Sequence, residues 1–100
     1  MVRLYKYLCE QKREFVLSKQ ALIAGTYIGA HIKSAHEAES GSMFIDEMSV
    51  ALQKASETEY WLQLLHDGEF IEGKSFASIH ADCVELIKVL TQIVKPSKTP

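Results

Sequence analysis

The segment SMFIDEMSVALQKASETEYWLQLLH, residues 42–66, decides the fold class of this chain. One set of positions within it recurs at alternating steps of four and three residues, which is the spacing of a helix packed along its whole length against other helices. These positions are Phe44, Met48, Ala51, Ala55, Thr58, Leu62 and Leu65. Because the set starts and ends with large residues and narrows to alanines, it predicts that partner helices come closest near the middle.

The same spacing returns in three other segments, which predicts helices at about 2–13, 19–38 and 75–94. Short polar breaks separate the four segments, and helices joined by short loops pack as antiparallel neighbours. The prediction is therefore an all-α, up-and-down antiparallel four-helix bundle. We expect one domain over residues 1–95, followed by a frayed C-terminal tail at residues 96–100.

Serines stand before three of these helices and are the predicted N-caps. Ser18 precedes the second helix, Ser40 or Ser42 the third, and Ser75 the fourth. The first helix instead begins abruptly at Met1, without a capping residue. This favours either a natural start further upstream, so that the N-terminus is truncated, or a bundle with one short helix.

The composition is that of a globular domain, with 47% hydrophobic and 24% charged residues. A formal net charge of −2 argues against a constitutive nucleic-acid binder, which usually carries a strong basic excess. Cys9 and Cys83 lack metal or redox spacing and are interpreted as core residues in a reducing compartment. No apolar run reaches the length of a membrane span, so we expect no membrane association and a cytoplasmic location.

Two glycines, Gly25 and Gly29, lie four residues apart inside the second helix. Since glycine costs about 1 kcal/mol relative to alanine in a helix, the pair predicts close packing of another helix. The segment GTYIG that contains them matches neither a dinucleotide-binding nor a phosphate-binding glycine motif.

His31 belongs to the set of positions in the second helix that is predicted to face the other helices. This set is Leu17, Ala21, Ala24, Ile28, His31 and Ala35. A lone inward histidine is usually a hydrogen-bonded core residue rather than a ligand or a base, because buried polar groups need partners. Glu57 or Glu59 of the third helix is the predicted partner in a buried polar pair.

No set of residues in the chain specifies a reaction. The di-iron bundle pattern needs Glu-x-x-His on two helices, whereas this chain has only the reversed order, at His36 with Glu39 and at His66 with Glu69. Both pairs fall near helix ends, and no nucleophile stands in a recognisable motif. We therefore predict no enzyme, no catalytic residue, no metal site and no cofactor.

Three aromatic residues predict an interface. Tyr60 and Trp61 are adjacent on the third helix and must point to different faces, one towards the core and the other towards a groove or a subunit contact. Tyr27, near the middle of the second helix, is predicted to lie largely outward. Exposed aromatic side chains favour protein interfaces, so the chain is expected to form a homo-oligomer.

Two blocks of sequence, at residues 17–35 and 42–65, resemble the four-helix bundle family of 23S ribosomal RNA intervening-sequence proteins. The first block shares with the family pattern Leu17, Gln20, Gly25, Thr26, Ile28, Gly29, Ala30, Ile32 and Ala35. The second block, with Ser40 just before it, shares Phe44, Ile45, Met48, Ala51, Leu52, Ala55, Glu57, Thr58, Tyr60, Trp61 and Leu62. LYKYL at residues 4–8 is similar to the end of the family's first helix, so the resemblance covers nearly the whole chain.

The resemblance implies a bacterial bundle of unassigned, non-catalytic function that assembles into a ring, usually a pentamer. Related bundles are accessory subunits of diversity-generating retroelements, in which a basic ring surface contacts nucleic acid and a reverse transcriptase. The implied partners are thus other copies of the chain, RNA or DNA, and a reverse transcriptase-like or other protein.

Several positions depart from the family pattern, mostly by losing positive charge. Ile23 replaces an arginine, and Gly41, Glu47 and Gln53 replace lysines, whereas Lys54 stands where a glutamate is usual. Because each lost phosphate contact weakens salt-dependent affinity, nucleic-acid binding is expected to be weaker than the family name suggests.

Two hypotheses follow. The first is a non-enzymatic assembly protein with weak nucleic-acid or ribonucleoprotein association. Its predicted contacts are Lys6, Lys12, Arg13, Lys19, Lys33 and Lys54. The second is a protein–protein interaction module with no nucleic-acid role, which would use Tyr27 and the surface of Tyr60 and Trp61.

Overall fold

The computed structural model describes residues 1–98, and the side chains of residues 1–96. Within that range the regular structure is entirely helical, which confirms the predicted four-helix bundle. The helices are α1 (Val2–Gln11), α2 (Leu17–His36), α3 (Gly41–Asp67) and α4 (Gly73–Lys98).

The central element is α3, which packs against both α2 and α4, while α1 packs on α2. The stripe that predicted this helix faces its neighbours. Ala51 and Ala55, at its narrow part, have no exposed surface, and neither do Leu62 and Leu65. Small side chains in the middle thus let the partner helices approach, as predicted.

The core consists of two hydrophobic clusters that follow one another along α3. The first cluster contains Leu4, Leu8, Ala21, Leu62, Leu65, Ile71 and Cys83. The second contains Ile28, Ala35, Met48, Ala51, Ala55, Leu90 and Val94. Since α1 contributes to the first cluster and not to the second, the bundle has four helices at one end and three at the other.

The cap of α3 is Ser40, whose hydroxyl oxygen accepts a hydrogen bond from the Met43 N–H at 3.1 Å. The predicted cap of α2 is wrong, because the helix begins at Leu17 and Ser18 lies inside its first turn. The Glu14 carboxylate takes that role and accepts hydrogen bonds from the N–H groups of Val16, Leu17 and Ser18 at 3.3, 3.1 and 2.9 Å.

The fourth helix is longer than predicted at both ends. It begins at Gly73, two residues before the predicted cap Ser75, whose hydroxyl donates to the Glu72 carboxylate at 3.4 Å. It continues through Pro96 to Lys98, although a proline at this position removes the N–H that would bond to the carbonyl four residues earlier. Residues 96–98 of the predicted tail are therefore helical, and residues 99–100 lie outside the described range.

Candidate interaction surfaces

The outer side of α2 and α3 exposes large apolar side chains next to one another. Ile23, Tyr27 and Tyr60 are 37%, 48% and 55% exposed. A groove of about 720 Å³ lies between the two helices and is lined in part by Ile23, Tyr60 and Trp61. We call this surface, defined by Ile23, Tyr27, Tyr60 and Trp61, the α2–α3 face.

Tyr60 and Trp61 point to different sides of α3, because adjacent residues on a helix are about 100° apart. Tyr60 is exposed, whereas Trp61 is half-buried and packs against the first core cluster. Their rings meet edge to face, with centroids 5.1 Å apart. Trp61 therefore anchors this part of the α2–α3 face to the core, and Tyr60 is the ring available to a partner.

Tyr27 is held by two neighbours on the same surface. The ammonium of Lys54 lies 5.7 Å from the centroid of its ring, a cation–π distance, and the His31 ring meets it edge to face at 6.2 Å. Lys54 also bonds to Glu57 at 3.2 Å, and its side chain is 25% exposed. Lys54 is thus already paired and is a poor phosphate contact, although the sequence placed it among the candidates.

The other basic candidates do not form one patch. Lys6 lies exposed on α1, Lys12 and Arg13 follow that helix, and Lys19 is exposed in the first turn of α2. Lys33 is exposed near the other end of α2, 14 residues from Lys19 and hence about 21 Å further along the helix. Lys12, Arg13 and Lys19, around the connection between α1 and α2, are the candidates that lie closest in sequence.

That connection also exposes two apolar residues that the sequence analysis did not single out. Phe15 is 58% and Val16 is 72% exposed. The sequence contained a signal for Val16, because Val16, Ile23 and Tyr27 recur at steps of seven and four. This spacing places them on one outward side of α2. The neighbouring connection between α3 and α4 carries the exposed carboxylates of Glu69 and Glu72, which offset the cations at this end.

The predicted partner of His31 is wrong. Its Nδ1 lies 2.7 Å from Oε2 of Glu47, and the two side chains are 31% and 35% exposed. Glu57 instead bonds to Lys54, and Glu59 to Nε2 of His80 at 2.9 Å. Because α2 and α3 run antiparallel, His31, near the end of α2, faces the beginning of α3 rather than its second half.

The two glycines of α2 have different surroundings. A Cβ atom at Gly25 would lie 2.6 Å from Cγ of Met1, so this glycine permits the close approach of the start of α1. No atom lies within 4 Å of the corresponding position at Gly29. The close packing predicted for Gly29 is therefore not formed within the described part of the chain. Met1, just before α1, lies against Gly25, one turn of α2 away from Gly29.

The described residues show little that could support chemistry. They contain no group of three or more His, Cys, Asp or Glu side chains able to hold a metal ion. The Cys83 thiol donates to the Ala55 carbonyl at 3.4 Å, and burial, with a smaller contribution from the charge of Glu59, raises its pKa to about 11. Cys83 is consequently a protonated core thiol and a weak nucleophile near neutral pH.

No helix among the described residues is both long enough and apolar enough to cross a membrane.

Comparison with known proteins identifies relatives of this chain. The model of the 23S rRNA-intervening sequence protein family matches residues 1–92. No curated protein matches the chain. A crystal structure of a protein with unknown function, from the S23 ribosomal protein family of Bacteroides thetaiotaomicron VPI-5482, is 47% identical with a TM-score of 0.91, over 94% of this chain and 87% of that chain. This chain therefore belongs to the 23S rRNA-intervening sequence protein family.

Proposed function

We propose that this protein is a non-enzymatic assembly unit of the bacterial cytoplasm that forms a homo-oligomeric ring through its α2–α3 face. The observation that carries the proposal is the exposure of Ile23 and Tyr60 along one groove of about 720 Å³, with the exposed Tyr27 ring beside Lys54, which also lines that groove. Aromatic residues of this kind are enriched at the centres of protein interfaces. Small soluble domains rarely leave such a surface uncovered.

The arrangement of the α2–α3 face suits a contact with another copy. Lys54 and His31 hold the Tyr27 ring, and Trp61 fixes the position of Tyr60, so little side-chain entropy remains to be lost on association. If this face meets a different surface of the next copy, the contact is heterologous, and it produces a ring when the rotation between successive copies closes. A pentamer is the number that the family resemblance favours.

Paired charge variants test this proposal. Ile23→Glu and Tyr60→Glu each place a carboxylate in the contact and are expected to shift the native mass from the oligomer to the 11.3 kDa monomer. Val89→Glu is the matched control, because Val89 is 43% exposed on α4, away from the α2–α3 face. Light scattering after size-exclusion chromatography gives the mass. An oligomer unaffected by both α2–α3 variants would refute the role of this face.

Weak nucleic-acid or ribonucleoprotein association is the second part of the proposal. The observation in its favour is that Lys12, Arg13 and Lys19 are exposed and close in sequence, with the exposed ring of Phe15 between them along the chain, since cations bind phosphates and an aromatic ring can stack on a base. A ring would repeat this group once per subunit, which multiplies a weak contact.

A titration with structured RNA and with duplex DNA, at low and at physiological salt, tests this second part. We expect weak binding that falls steeply with salt, and further weakening in a Lys12→Gln/Arg13→Gln variant, with Lys33→Gln as the control. The absence of binding at low salt would favour the alternative function, a protein–protein interaction module with no nucleic-acid role. Its partner on the α2–α3 face would then be a different protein, such as a reverse transcriptase-like one.

A further inference from the structure

The connection between α1 and α2 exposes an aromatic ring within a basic stretch of chain. Phe15 is 58% exposed, and the neighbouring Val16 is 72% exposed. The exposed cations of this stretch are Lys12, Arg13 and Lys19. We call residues 12–19, which include the first residues of α2, the α1–α2 turn.

The carboxylate in this stretch is turned away from solvent. Glu14 is the only acidic residue among residues 11–20, and it is 8% exposed. Its two oxygens accept hydrogen bonds from the backbone N–H groups of Val16, Leu17 and Ser18. The exposed charge of the α1–α2 turn is therefore entirely positive, although its sequence contains an acid.

The same hydrogen bonds fix the backbone on both sides of the exposed ring. Phe15 lies between Glu14 and the residues that the Glu14 carboxylate holds, and the Ser18 hydroxyl donates back to the Glu14 carbonyl at 2.7 Å. Arg13 precedes Phe15 by two residues, so their Cα atoms are at most about 7 Å apart. The turn thus presents a cation close to a ring, and little backbone entropy remains to be lost on binding.

This combination of groups suits an unpaired nucleotide. Cations attract phosphates, and an aromatic ring provides a surface on which a base can stack. In a duplex each base is already stacked between its neighbours and presents only its edge in a groove. The ring of Phe15 can therefore add affinity for a single strand, in which base faces are accessible, and not for a duplex.

An anionic lipid surface offers a similar charge but a different shape. A membrane is flat and would meet the whole end of the bundle, including the neighbouring connection between α3 and α4. That connection exposes the carboxylates of Asp67, Glu69 and Glu72 against the ammonium of Lys74, and anionic headgroups repel this excess of negative charge. A single strand is narrow enough to contact the α1–α2 turn alone, so the charges at this end favour nucleic acid.

We infer that the α1–α2 turn binds single-stranded nucleic acid in preference to a duplex. One unpaired base stacks on Phe15, and Lys12, Arg13 and Lys19 hold the adjoining phosphates. The inference rests on the nucleic-acid part of the proposed function and adds the class of ligand to it. The preference distinguishes stacking from simple charge attraction, because a duplex carries twice the phosphate density of one strand and cations alone would favour the duplex.

The test compares a short fluorescein-labelled DNA strand of mixed sequence with the duplex that it forms with its complement. Both are titrated with the purified full chain at low salt and followed by fluorescence anisotropy. The single strand is expected to bind several-fold more tightly than the duplex. The same strand made as RNA is titrated in parallel, and the tighter of the two strands identifies which nucleic acid the turn prefers.

Two substitutions at Phe15 and one at its neighbour show whether the ring is responsible. Phe15→Ala should weaken binding of the single strand about fivefold or more, which is the loss expected when a stacking ring is removed, and should leave the duplex affinity unchanged. Phe15→Trp keeps an aromatic face and should retain the preference. Val16→Ala is the matched control, because Val16 is even more exposed than Phe15 but has no ring, and it should change neither affinity.

Thermal unfolding of each variant checks that the fold is intact, which the exposure of both side chains favours. A duplex that binds as tightly as the strand, or an equal loss for both in Phe15→Ala, would overturn this inference and leave the nucleic-acid part of the proposed function standing. The absence of any binding at low salt would overturn both. Phosphatidylserine vesicles are the lipid probe, and vesicle binding that depends on Phe15 without strand binding would also overturn the inference.

Discussion

At the scale of single residues, one carboxylate organises the start of α2. Glu14 is buried, and its two oxygens accept hydrogen bonds from three successive backbone N–H groups. The Ser18 hydroxyl donates back to the Glu14 carbonyl at 2.7 Å. The turn that brings the carboxylate there passes through Arg13, whose φ is 52°, a left-handed value that few residues adopt. This cap fixes where α2 begins relative to α1.

Replacing Glu14 by alanine should therefore destabilise the protein more than an ordinary surface change. Loss of an N-cap acceptor costs about 1–2 kcal/mol, and the buried N–H of Ser18 would lose its partner. Urea denaturation followed by circular dichroism measures the free energy of unfolding. Glu10→Ala, an exposed change on α1, is the control, and an equal loss in both variants would contradict the capping role.

Cys83 should give the protein an alkaline pH dependence. Because burial raises its pKa from 9.0 to about 11, folding favours the protonated thiol. That contribution to stability is fully present below about pH 9 and is lost as the pH rises through about 11. We expect the free energy of unfolding of the wild type to fall more between pH 9 and 11 than that of Cys83→Ala, in chemical denaturation at each pH.

The comparison with Cys83→Ala is needed because tyrosine and lysine side chains titrate in the same range. Their ionisation is common to both proteins and cancels in the difference. Parallel stability curves over this range would show that the thiol pKa is unshifted.

At the scale of helices, the two glycines of α2 should respond differently to the same substitution. Gly29→Ala is expected to raise the free energy of unfolding by about 0.5–1 kcal/mol, because alanine has the better helix propensity and its methyl group meets open space. Gly25→Ala should show no such gain, since its Cβ would lie 2.6 Å from Met1 Cγ and would displace the start of α1. Thermal denaturation measures the stability change in each variant. Equal gains would mean that Met1 does not pack closely against Gly25.

The contact between His31 and Glu47 ties α2 to α3 and can be measured by a double-mutant cycle. For a half-exposed pair we expect a coupling of about 0.2–1 kcal/mol between His31→Ala and Glu47→Ala. The cycle with Glu59→Ala in place of Glu47→Ala is the control and should give additive losses, because Glu59 bonds to His80. Coupling of His31 to Glu59 would support the partner predicted from sequence instead.

The helices could be predicted from the sequence because each carries a stripe at three-and-four spacing, and the stripe of α3 is buried as expected from Met48 to Leu65. The partner of His31 could not be predicted from the sequence. It depends on the offset between the antiparallel helices α2 and α3 along their axes, which the spacing of residues does not reveal. The cap of α2 was missed for a related reason. A glutamate that reaches the helix through a left-handed turn leaves no mark in the periodicity.

At the scale of the whole molecule, α1 covers the first core cluster and leaves the second bordered by three helices. The large exposed side chains Ile23, Tyr27 and Tyr60 lie on two other helices, α2 and α3, and belong to the α2–α3 face. The sequence predicted an interface at Tyr27, Tyr60 and Trp61, and in the structure the exposed Ile23 lines the same groove as Tyr60 and Trp61. The sequence predicted close packing at Gly29, whereas no atom among the described residues lies within 4 Å of its Cβ position. Helix periodicity identifies buried stripes and does not reveal how much of a stripe the neighbouring helix covers.

The central claim is that this protein works as an assembly of identical chains, and sedimentation velocity of the unmodified protein tests it most directly. The protein is measured over a hundredfold dilution at physiological salt. We expect one dominant species with a mass several times 11.3 kDa, and the monomer should appear only on dilution. A protein that sediments as an 11.3 kDa monomer at every concentration would contradict the account.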